Sequence, residues 1–201
     1  MDKFEVTNRQ FKQFVDGDGY RKREYWKPEF TKDGRVVSWE EGIREFVDAT
    51  GRPGPRTWAL GAYPDGQENF PVGGVSWYEA AAYCESVGRT LPTLFHWCQA
   101  AGVQALDYII QLSNIGSRSP APVGSHQGLS PYGSYDMAGN VKEWCWNSAG
   151  NQRFILGGAW NEPGYMFGDP DARSPFDRSP ANGFRCAKYD DPQSLPAPLT
   201  G

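Results

Sequence analysis

Apolar positions recur at helical spacing in four short stretches of the chain, and each stretch follows a residue that can cap a helix. The capping residues are Thr7, Ser38, Ser76 and Thr93, and Ser38 and Ser76 are each followed three residues later by glutamate, which is the capping-box pattern. The third stretch ends at Gly88 and has the most regular apolar face. The pattern therefore predicts four short helices, and a fifth short helix is expected within 105–119.

Three runs rich in apolar and aromatic residues predict short strands at 141–147, 154–160 and 183–189. Between the predicted elements the chain is rich in glycine and proline, 24 and 16 residues respectively. Aromatic residues make up 14% of the chain, so we expect a core of large rings in a loop-rich fold. We predict one domain over 1–189, followed by a proline-rich linker or tail over 190–201.

The net charge of −4 and the lack of a long basic block argue against nucleic acid or an anionic membrane as a partner. No apolar run approaches the roughly 20 residues of a membrane span, and the first residues do not form a signal peptide. A cytoplasmic location is therefore expected. The local basic and aromatic stretch at 20–30 is interpreted as a solvated loop with Trp26 turned inward, rather than as a partner surface.

The stretch Pro131–Asn147 combines two glycines with two acids in a short, backbone-rich segment. Gly133 and Gly139 allow left-handed turns that direct carbonyl groups inward. Asp136 and Glu143 could close around a hard cation, because Ca²⁺ binds roughly 6–8 oxygen atoms of carboxylates and carbonyls. A surface turn with two solvated acids remains the alternative, since the spacing matches no general metal motif.

The segment Gly133–Trp144, with the pattern G-x-Y-D-M-A-G-N-V-x-E-W, resembles the central signature of the formylglycine-generating enzyme, or sulfatase-modifying factor, family. Further landmarks of that family occur in the same order from about residue 4 to 189. They are EVTN at 5–8, PVxxVSW at 71–77, GRxLPT at 88–93, GGAW at 157–160 and GFRCA at 183–187. The resemblance implies an α+β, C-type-lectin-like fold with short helices around small antiparallel sheets and much irregular chain.

The resemblance also implies one structural Ca²⁺ site, with ligands from the side chains of Asp136 and Glu143 and the carbonyls of Gly139 and Val141. Asn140 and Trp144 then have structural roles. A first calcium site of the family is expected to be incomplete, because no aspartate lies between Ile115 and Asp136.

Four cysteines lie at positions 84, 98, 145 and 186, and their spacing gives no zinc pattern. They are interpreted as small buried apolar residues. The family resemblance places Cys84 next to Cys186, either as a disulfide or as a reduced pair.

Active members of the family hold copper(I) with two cysteines that follow a Gly-Gly-Ser strand. The corresponding positions here are near Glu162 and Phe167, and Ala159 replaces the serine. Because copper(I) requires soft thiolate ligands, no copper is expected and the domain is predicted to lack the copper-dependent oxidase activity.

We therefore expect a non-catalytic binding or sensing module whose ligand site is on the loop 160–178. The sequence of this loop is similar to the loop of the module that follows a serine/threonine kinase domain in long bacterial chains. This resemblance implies that partner domains are covalently linked to the domain. The ligand is an unidentified peptide, protein or small molecule. The predicted ligand-binding residues are Trp160, Asn161, Glu162, Tyr165, Phe167, Arg173 and Arg178.

Three alternatives stay open. The charges of this loop could simply pair with one another. The domain could be an oxidoreductase of the nonheme-iron branch whose metal is held by a partner domain. It could also be a diversified ligand-binding protein, although the proline, aspartate, arginine and phenylalanine content of the loop argues against the last.

Overall fold

The computed structural model describes residues 1–102 and 106–190, and within these ranges it has five helices and six short strands. The helices are α1 (Asn8–Asp16), α2 (Trp39–Gly42), α3 (Trp77–Ser86), α4 (Leu94–Ala101) and α5 (Leu106–Gln111). The strands are β1 (Thr31–Lys32), β2 (Arg35–Val36), β3 (Lys142–Ala149), β4 (Gln152–Leu156), β5 (Asp171–Arg173) and β6 (Asn182–Gly183).

The four predicted capping residues each begin a helix. The side chain of Ser76 accepts a hydrogen bond from the Glu79 amide, while the Glu79 carboxylate accepts one from the Ser76 amide, at 3.1 and 2.8 Å. These reciprocal bonds satisfy amides that the first turn of α3 would otherwise leave unpaired. Helix α2 is shorter than predicted because it ends at Gly42, after which a single 3₁₀ turn continues to Glu45.

The central sheet has the strand order β5-β4-β3-β6. Strands β3, β4 and β5 pair antiparallel, whereas β3 and β6 pair parallel, with Lys142 opposite Asn182. The small antiparallel sheet that the resemblance implies is therefore present, and one parallel pair extends it. Residues 174–181 carry the chain from β5 at one edge of the sheet to β6 at the other, and β6 runs in the same direction as β3.

The predicted third strand is mostly irregular. Only Asn182–Gly183 pairs regularly, and an isolated bridge joins Ala187 to Thr90. Strand β5 lies inside the predicted loop and was missed.

The core consists of two clusters, and aromatic rings dominate the larger one, as the composition predicted. The larger cluster packs α1 and α3 against β3 and the 20–58 region, and includes Phe11, Phe46, Trp58, Trp77 and Trp144. The smaller cluster packs α4 and α5 against the sheet, and includes Trp97, Ile109, Met137, Leu156 and Phe167. Trp26 is 5% exposed, so the prediction that it turns inward is confirmed.

The first residues of the chain lie alongside the segment that follows β6. The Asp2 amide donates to the Cys186 carbonyl at 2.8 Å, and the Val6 amide donates to the Phe184 carbonyl at 2.9 Å. The two ends of the folded region therefore meet. Of the predicted tail, all residues after Asp190 lie outside the described ranges, and the boundary at 189 stays a prediction.

Cys84 and Cys186 are buried free thiols in contact, which agrees with the expected proximity. Burial, followed by the hydrogen bond with Cys186, raises the pKa of Cys84. Within 1–102 and 106–190, every helix falls short of the length and apolar character that a bilayer crossing demands.

Candidate functional site

The loop that leads into β3 contains several residues in the left-handed backbone conformation. Asp136, Gly139 and Asn140 all have left-handed φ angles, of 56°, 78° and 57°. A Cβ atom on Gly139 would lie 2.2 Å from the Asn114 carbonyl oxygen, so glycine is required here by both conformation and space. The prediction of left-handed glycines at positions 133 and 139 is confirmed.

Glu143 forms a fully buried ion pair at the start of β3. Its Oε1 accepts a hydrogen bond from Arg185 Nη2 at 2.6 Å, and its Oε2 accepts one from Arg185 Nε at 2.7 Å. The indole N–H of Trp97 also donates to Oε2, at 2.7 Å. Arg185 and Glu143 are both 0% exposed. The bidentate pair fixes β3 against the chain that follows β6.

Two further carboxylates surround this pair. Glu5 accepts hydrogen bonds from the Val141 amide at 3.1 Å and from the Asn140 side chain at 2.7 Å. Asp136 Oδ2 accepts one from the Gly124 amide. Asn140 is 1% exposed and hydrogen-bonded at both ends of its amide, which agrees with the structural role expected for it. We call Glu5, Asp136, Glu143 and Arg185 the acid cluster.

The acid cluster has three carboxylates and one cation, all less than 5% exposed. Burial raises the pKa of Glu5, and the neighbouring charges of Asp136 and Glu143 add to this shift. Burial also raises the pKa of Asp136. Burial is the largest cause of both shifts, because removal from water disfavours the charged form of a carboxyl group.

The oxygen atoms of the acid cluster match a divalent-cation site only in part. In the described ranges, no group of three or more His, Cys, Asp or Glu side chains is arranged to hold a metal ion, so carboxylates alone do not form a chelating site. The predicted set instead uses two carboxylates and two carbonyls. The carbonyls of Gly139 and Val141 accept no hydrogen bond from the described residues, and Glu143 Oε1 accepts only one, so oxygen lone pairs remain for a cation.

Glu162, near which the resemblance places the first copper-binding thiol of active members, joins a partly buried ion network. Its Oε1 lies 2.9 Å from Lys142 Nζ, and Lys142 Nζ lies 2.8 Å from Asp171 Oδ2. Arg173 Nε donates to the same Asp171 oxygen at 2.9 Å. Burial acts to raise the pKa of Asp171, but the hydrogen bonds from Lys142 and Arg173 bring it below its ordinary value. Charge pairing within the loop, one of the alternatives left open, is thus present between Asp171 and Arg173, whereas Glu162 pairs with Lys142 of β3.

Two polar atoms beside this network have no partner in the part of the chain that is described. They are Glu162 Oε2 and Asn182 Nδ2, and both are buried. Lys142 and Asn182 are opposed in the parallel β3–β6 pair, which places their side chains on the same face of the sheet. One unused acceptor and one unused donor therefore flank a lysine whose side chain is only 3% exposed.

Of the seven predicted ligand-binding residues, three lie at the surface of the loop, two are partly buried and two are buried. Tyr165 is 72% exposed, Asn161 is exposed and Trp160 is half-buried, so these line the surface of the loop. Glu162 and Arg173 are partly buried within the ion network. The remaining two lie in the interior, and a ligand on the loop surface does not reach them.

The two interior residues have structural contacts. Phe167 is 1% exposed and packs edge-on against Trp97, with ring centroids 6.1 Å apart. Arg178 is 8% exposed and bonds both oxygens of Glu79 at 2.9 Å. Arg178 also donates to three backbone carbonyls, those of Glu45, Val47 and Gly54. Neither Phe167 nor Arg178 is therefore accessible to a ligand on the loop surface.

Sequence reasoning missed one cation and one acid of each site. Glu5 and Arg185 lie within family motifs, in EVTN and GFRCA, but nothing in the sequence alone places them beside Glu143. Lys142 immediately precedes Glu143, and because successive side chains of a strand point to opposite faces, it reaches the other site. Asp171 belongs to the unpredicted strand β5.

The fold and the loop before β3 define a mixed α+β domain of the sulfatase-modifying-factor type. Residues 1–189 match the model of the sulfatase-modifying factor enzyme 1-like domain, and the chain belongs to this family. It is similar to PvdO from Pseudomonas aeruginosa, whose structure superposes with a TM-score of 0.61 at 18% identity, covering 90% of this chain and 77% of that one. This likeness shows the fold, and it confirms the predicted fold class.

Several curated relatives are also similar. A serine/threonine-protein kinase pkn1 of Chlamydia caviae is 33% identical over 72% of this chain and 22% of its own length. The hercynine oxygenase of Mycolicibacterium smegmatis is 30% identical over 69% of this chain and 35% of its length. The inactive C-alpha-formylglycine-generating enzyme 2 of Bos taurus is 27% identical over 93% of this chain and 76% of its length. The chain thus spans about a fifth of the first of these relatives.

Proposed function

We propose that this domain is a non-catalytic ligand-binding or protein-binding module of a larger bacterial protein such as a serine/threonine kinase. The observation that carries the proposal is the replacement at the family's copper site. Glu162 pairs with Lys142, and Phe167 is buried against Trp97. A carboxylate held by an ammonium group and a buried phenyl ring offer copper(I) no soft ligand.

The surface of the 160–178 loop supports a binding role. Trp160, Asn161 and Tyr165 present aromatic and amide groups above the ion network of Lys142, Glu162 and Asp171. The ion pairs and the buried Phe167 hold the loop in one conformation, and preorganised loops on rigid scaffolds are common recognition sites. A ligand with both a hydrogen-bond donor and an acceptor would complement the unused Glu162 Oε2 and Asn182 Nδ2.

The loss of the oxidase site can be tested by restoring its thiols. We expect the unaltered chain to bind no stoichiometric copper(I) and to form no aldehyde on a Cys-x-Pro-x-Arg peptide. The double variant Glu162→Cys/Phe167→Cys is expected to bind copper(I) in an anaerobic titration, because it restores two soft ligands on the same scaffold. One copper per chain together with peptide turnover by the unaltered protein would overturn the proposal.

The binding role itself is tested by chemical-shift mapping with a fragment library. Ligands of the loop are expected to shift the indole resonance of Trp160, and Tyr165→Ala is expected to weaken them. Tyr108→Ala, at a similarly exposed tyrosine of α5, serves as the matched control. If every fragment that binds leaves the Trp160 resonance unshifted, the loop surface is not the binding site.

An iron-dependent oxidoreductase acting with a partner domain is the second candidate, and the similarity to hercynine oxygenase favours it. A facial triad needs two histidines and a carboxylate. The two histidines of this chain are in separate surroundings: His96 contacts Thr93 and Tyr189, and His126 contacts Ser125. The iron would therefore depend on residues of the partner domain. Iron that co-purifies with this domain alone would contradict that division of roles.

The acid cluster is proposed to hold one structural Ca²⁺ through Asp136, Glu143 and the carbonyls of Gly139 and Val141. The support is its excess of negative charge, together with free carbonyl oxygens, since hard cations prefer oxygen ligands. When bound, Ca²⁺ would supply the missing positive charge and tie the loop at 136–141 to β3. A cytoplasmic location stays a prediction.

Calcium is expected to raise the melting temperature relative to EDTA, by a stabilisation of about 2.7 kcal/mol at a hundredfold excess over Kd. Asp136→Asn should abolish this response, whereas Asp169→Asn, at an exposed acid of the 160–178 loop, should retain it. Differential scanning calorimetry in Ca²⁺, Mg²⁺ and EDTA measures the effect. Identical melting curves in Ca²⁺ and EDTA would remove the proposal.

A further inference from the structure

A cleft of about 360 Å³ lies between the residues that follow α1 and the start of α2. One wall is formed by Arg23, Trp26 and Lys27, and the other by Val36 and Trp39. We call this the basic cleft. It shares no residue with the acid cluster or with the 160–178 loop, so it is independent of the function proposed above.

The basic cleft concentrates positive charge in a chain whose net charge is −4. The stretch 21–27 has four basic residues and one acid, and two of the basic residues, Arg23 and Lys27, line the cleft. Within the described ranges, the Arg23 guanidinium has no carboxylate partner and no hydrogen bond, and it lies 5.9 Å from the Trp39 ring centroid. Its donors are therefore unused.

Lys27 has a partner that is easily exchanged. It pairs with Glu85 at 2.8 Å, but the two side chains are 65% and 39% exposed. Ion pairs in water contribute little to stability, so a more highly charged ligand can compete for this ammonium group. One acid, Glu29, also lines the cleft, and the two cations exceed its charge.

The indole N–H of Trp39 provides a third donor. Its Nε1 atom is buried and has no acceptor in the described part of the chain. A buried N–H without a partner is unfavourable, so a ligand oxygen that reached it after a small movement of this half-buried side chain would be stabilised.

We propose that the basic cleft binds a phosphorylated serine or threonine side chain within a peptide segment. A phosphate has nearly two negative charges and three strong acceptor oxygens, which match two cations and one N–H donor. A carboxylate would use only part of this set. The walls of Trp26, Pro28 and the 66% exposed Val36 offer apolar contact to the residues beside the phosphate. A phosphorylated membrane lipid is disfavoured, because the acidic chain as a whole is repelled by an anionic bilayer.

The test follows the Trp39 indole N–H by ¹H–¹⁵N correlation spectroscopy, with the resonance assigned through Trp39→Phe. The probe is a pool of short peptides, each with one phosphothreonine at its centre, compared with the same pool unphosphorylated. We expect a saturable shift of the Trp39 resonance with the phosphorylated pool alone. No movement of this resonance at millimolar phosphopeptide would overturn the proposal.

Three charge variants make the test specific. Arg23→Gln is expected to weaken phosphopeptide binding about tenfold, whereas Glu29→Gln should strengthen it. Arg21→Gln is the matched control, because this arginine is 82% exposed and lies outside the cleft. All three residues are on the surface, so their variants should fold even if Trp39→Phe does not. The proposal is contradicted if the Arg21 and Arg23 variants lose phosphopeptide affinity equally. It is also contradicted if inorganic phosphate binds as tightly as the phosphopeptides, or if phosphoinositide vesicles bind more tightly.

Discussion

Replacing Arg185 by methionine is expected to lower the free energy of unfolding by more than about 5 kcal/mol. The variant leaves Glu143, Glu5 and Asp136 buried together without their only cation. It also removes donors from the carbonyls of Asp2, Lys3 and Tyr135. Since small domains are stable by only about 5–15 kcal/mol, we expect little folded protein at neutral pH. Urea unfolding followed by circular dichroism measures the loss.

Two further variants separate charge from geometry. Arg185→Lys keeps a positive charge but loses the two-pronged contact with Glu143, so its stability should lie between those of the parent and the methionine variant. The double variant Glu143→Gln/Arg185→Met removes one charge from each side and should recover part of the loss. A methionine variant within about 1 kcal/mol of the parent would show that the acid cluster is not held by Arg185.

Replacing Arg178 by methionine is the second change with a large expected effect, about 3–5 kcal/mol. Arg178 is the centre of a buried network in which Glu79 also accepts a hydrogen bond from the Tyr20 hydroxyl at 2.6 Å. This network connects α3 to the chain around Tyr20, to the 45–54 segment and to the end of the 160–178 loop. Without Arg178 the carboxylate and three carbonyls lose their strongest donor.

The control for Arg178 is an exposed ion pair of the same type. Arg9 lies 3.7 Å from Glu68, with side chains 58% and 37% exposed, and Arg9→Met should change stability by less than about 0.5 kcal/mol. Glu79→Gln, alone and together with Arg178→Met, completes a double-mutant cycle in equilibrium unfolding. A coupling energy near zero between the two positions would refute the central role of Arg178.

The helices could be predicted from the sequence because their signals are local. The residues of each capping box are three positions apart, so the hydrogen bonds at the start of α3 follow from Ser76 and Glu79 alone. The sheet was harder to predict, since the pairing of Lys142 with Asn182 depends on where residues 174–181 cross from one edge of the sheet to the other. Strand β5 has only three residues, all partly exposed, and such a segment has no apolar pattern to detect.

The candidate sites could be predicted only in part, for a related reason. The motif at 133–144 identified Asp136 and Glu143, but Arg185 reaches Glu143 from 42 residues away along the chain. The loop 160–178 was predicted to be a functional region, yet its sequence does not show which side chains point inward. Arg178 and Phe167 are turned to the interior by Glu79 and Trp97, which come from earlier helices.

The first residues lie beside the segment that follows β6, and this proximity determines how the fold can be joined to other chains. Because the Asp2 amide donates to the Cys186 carbonyl, residues 2 and 186 are neighbours in the fold although they are far apart in the chain. A domain of this shape can be placed within a surface loop of another protein without separating the ends of that loop. By the same geometry, a short peptide joining residues 1 and 189 would allow the chain to be cut and restarted elsewhere, for example at the exposed turn around Gly66.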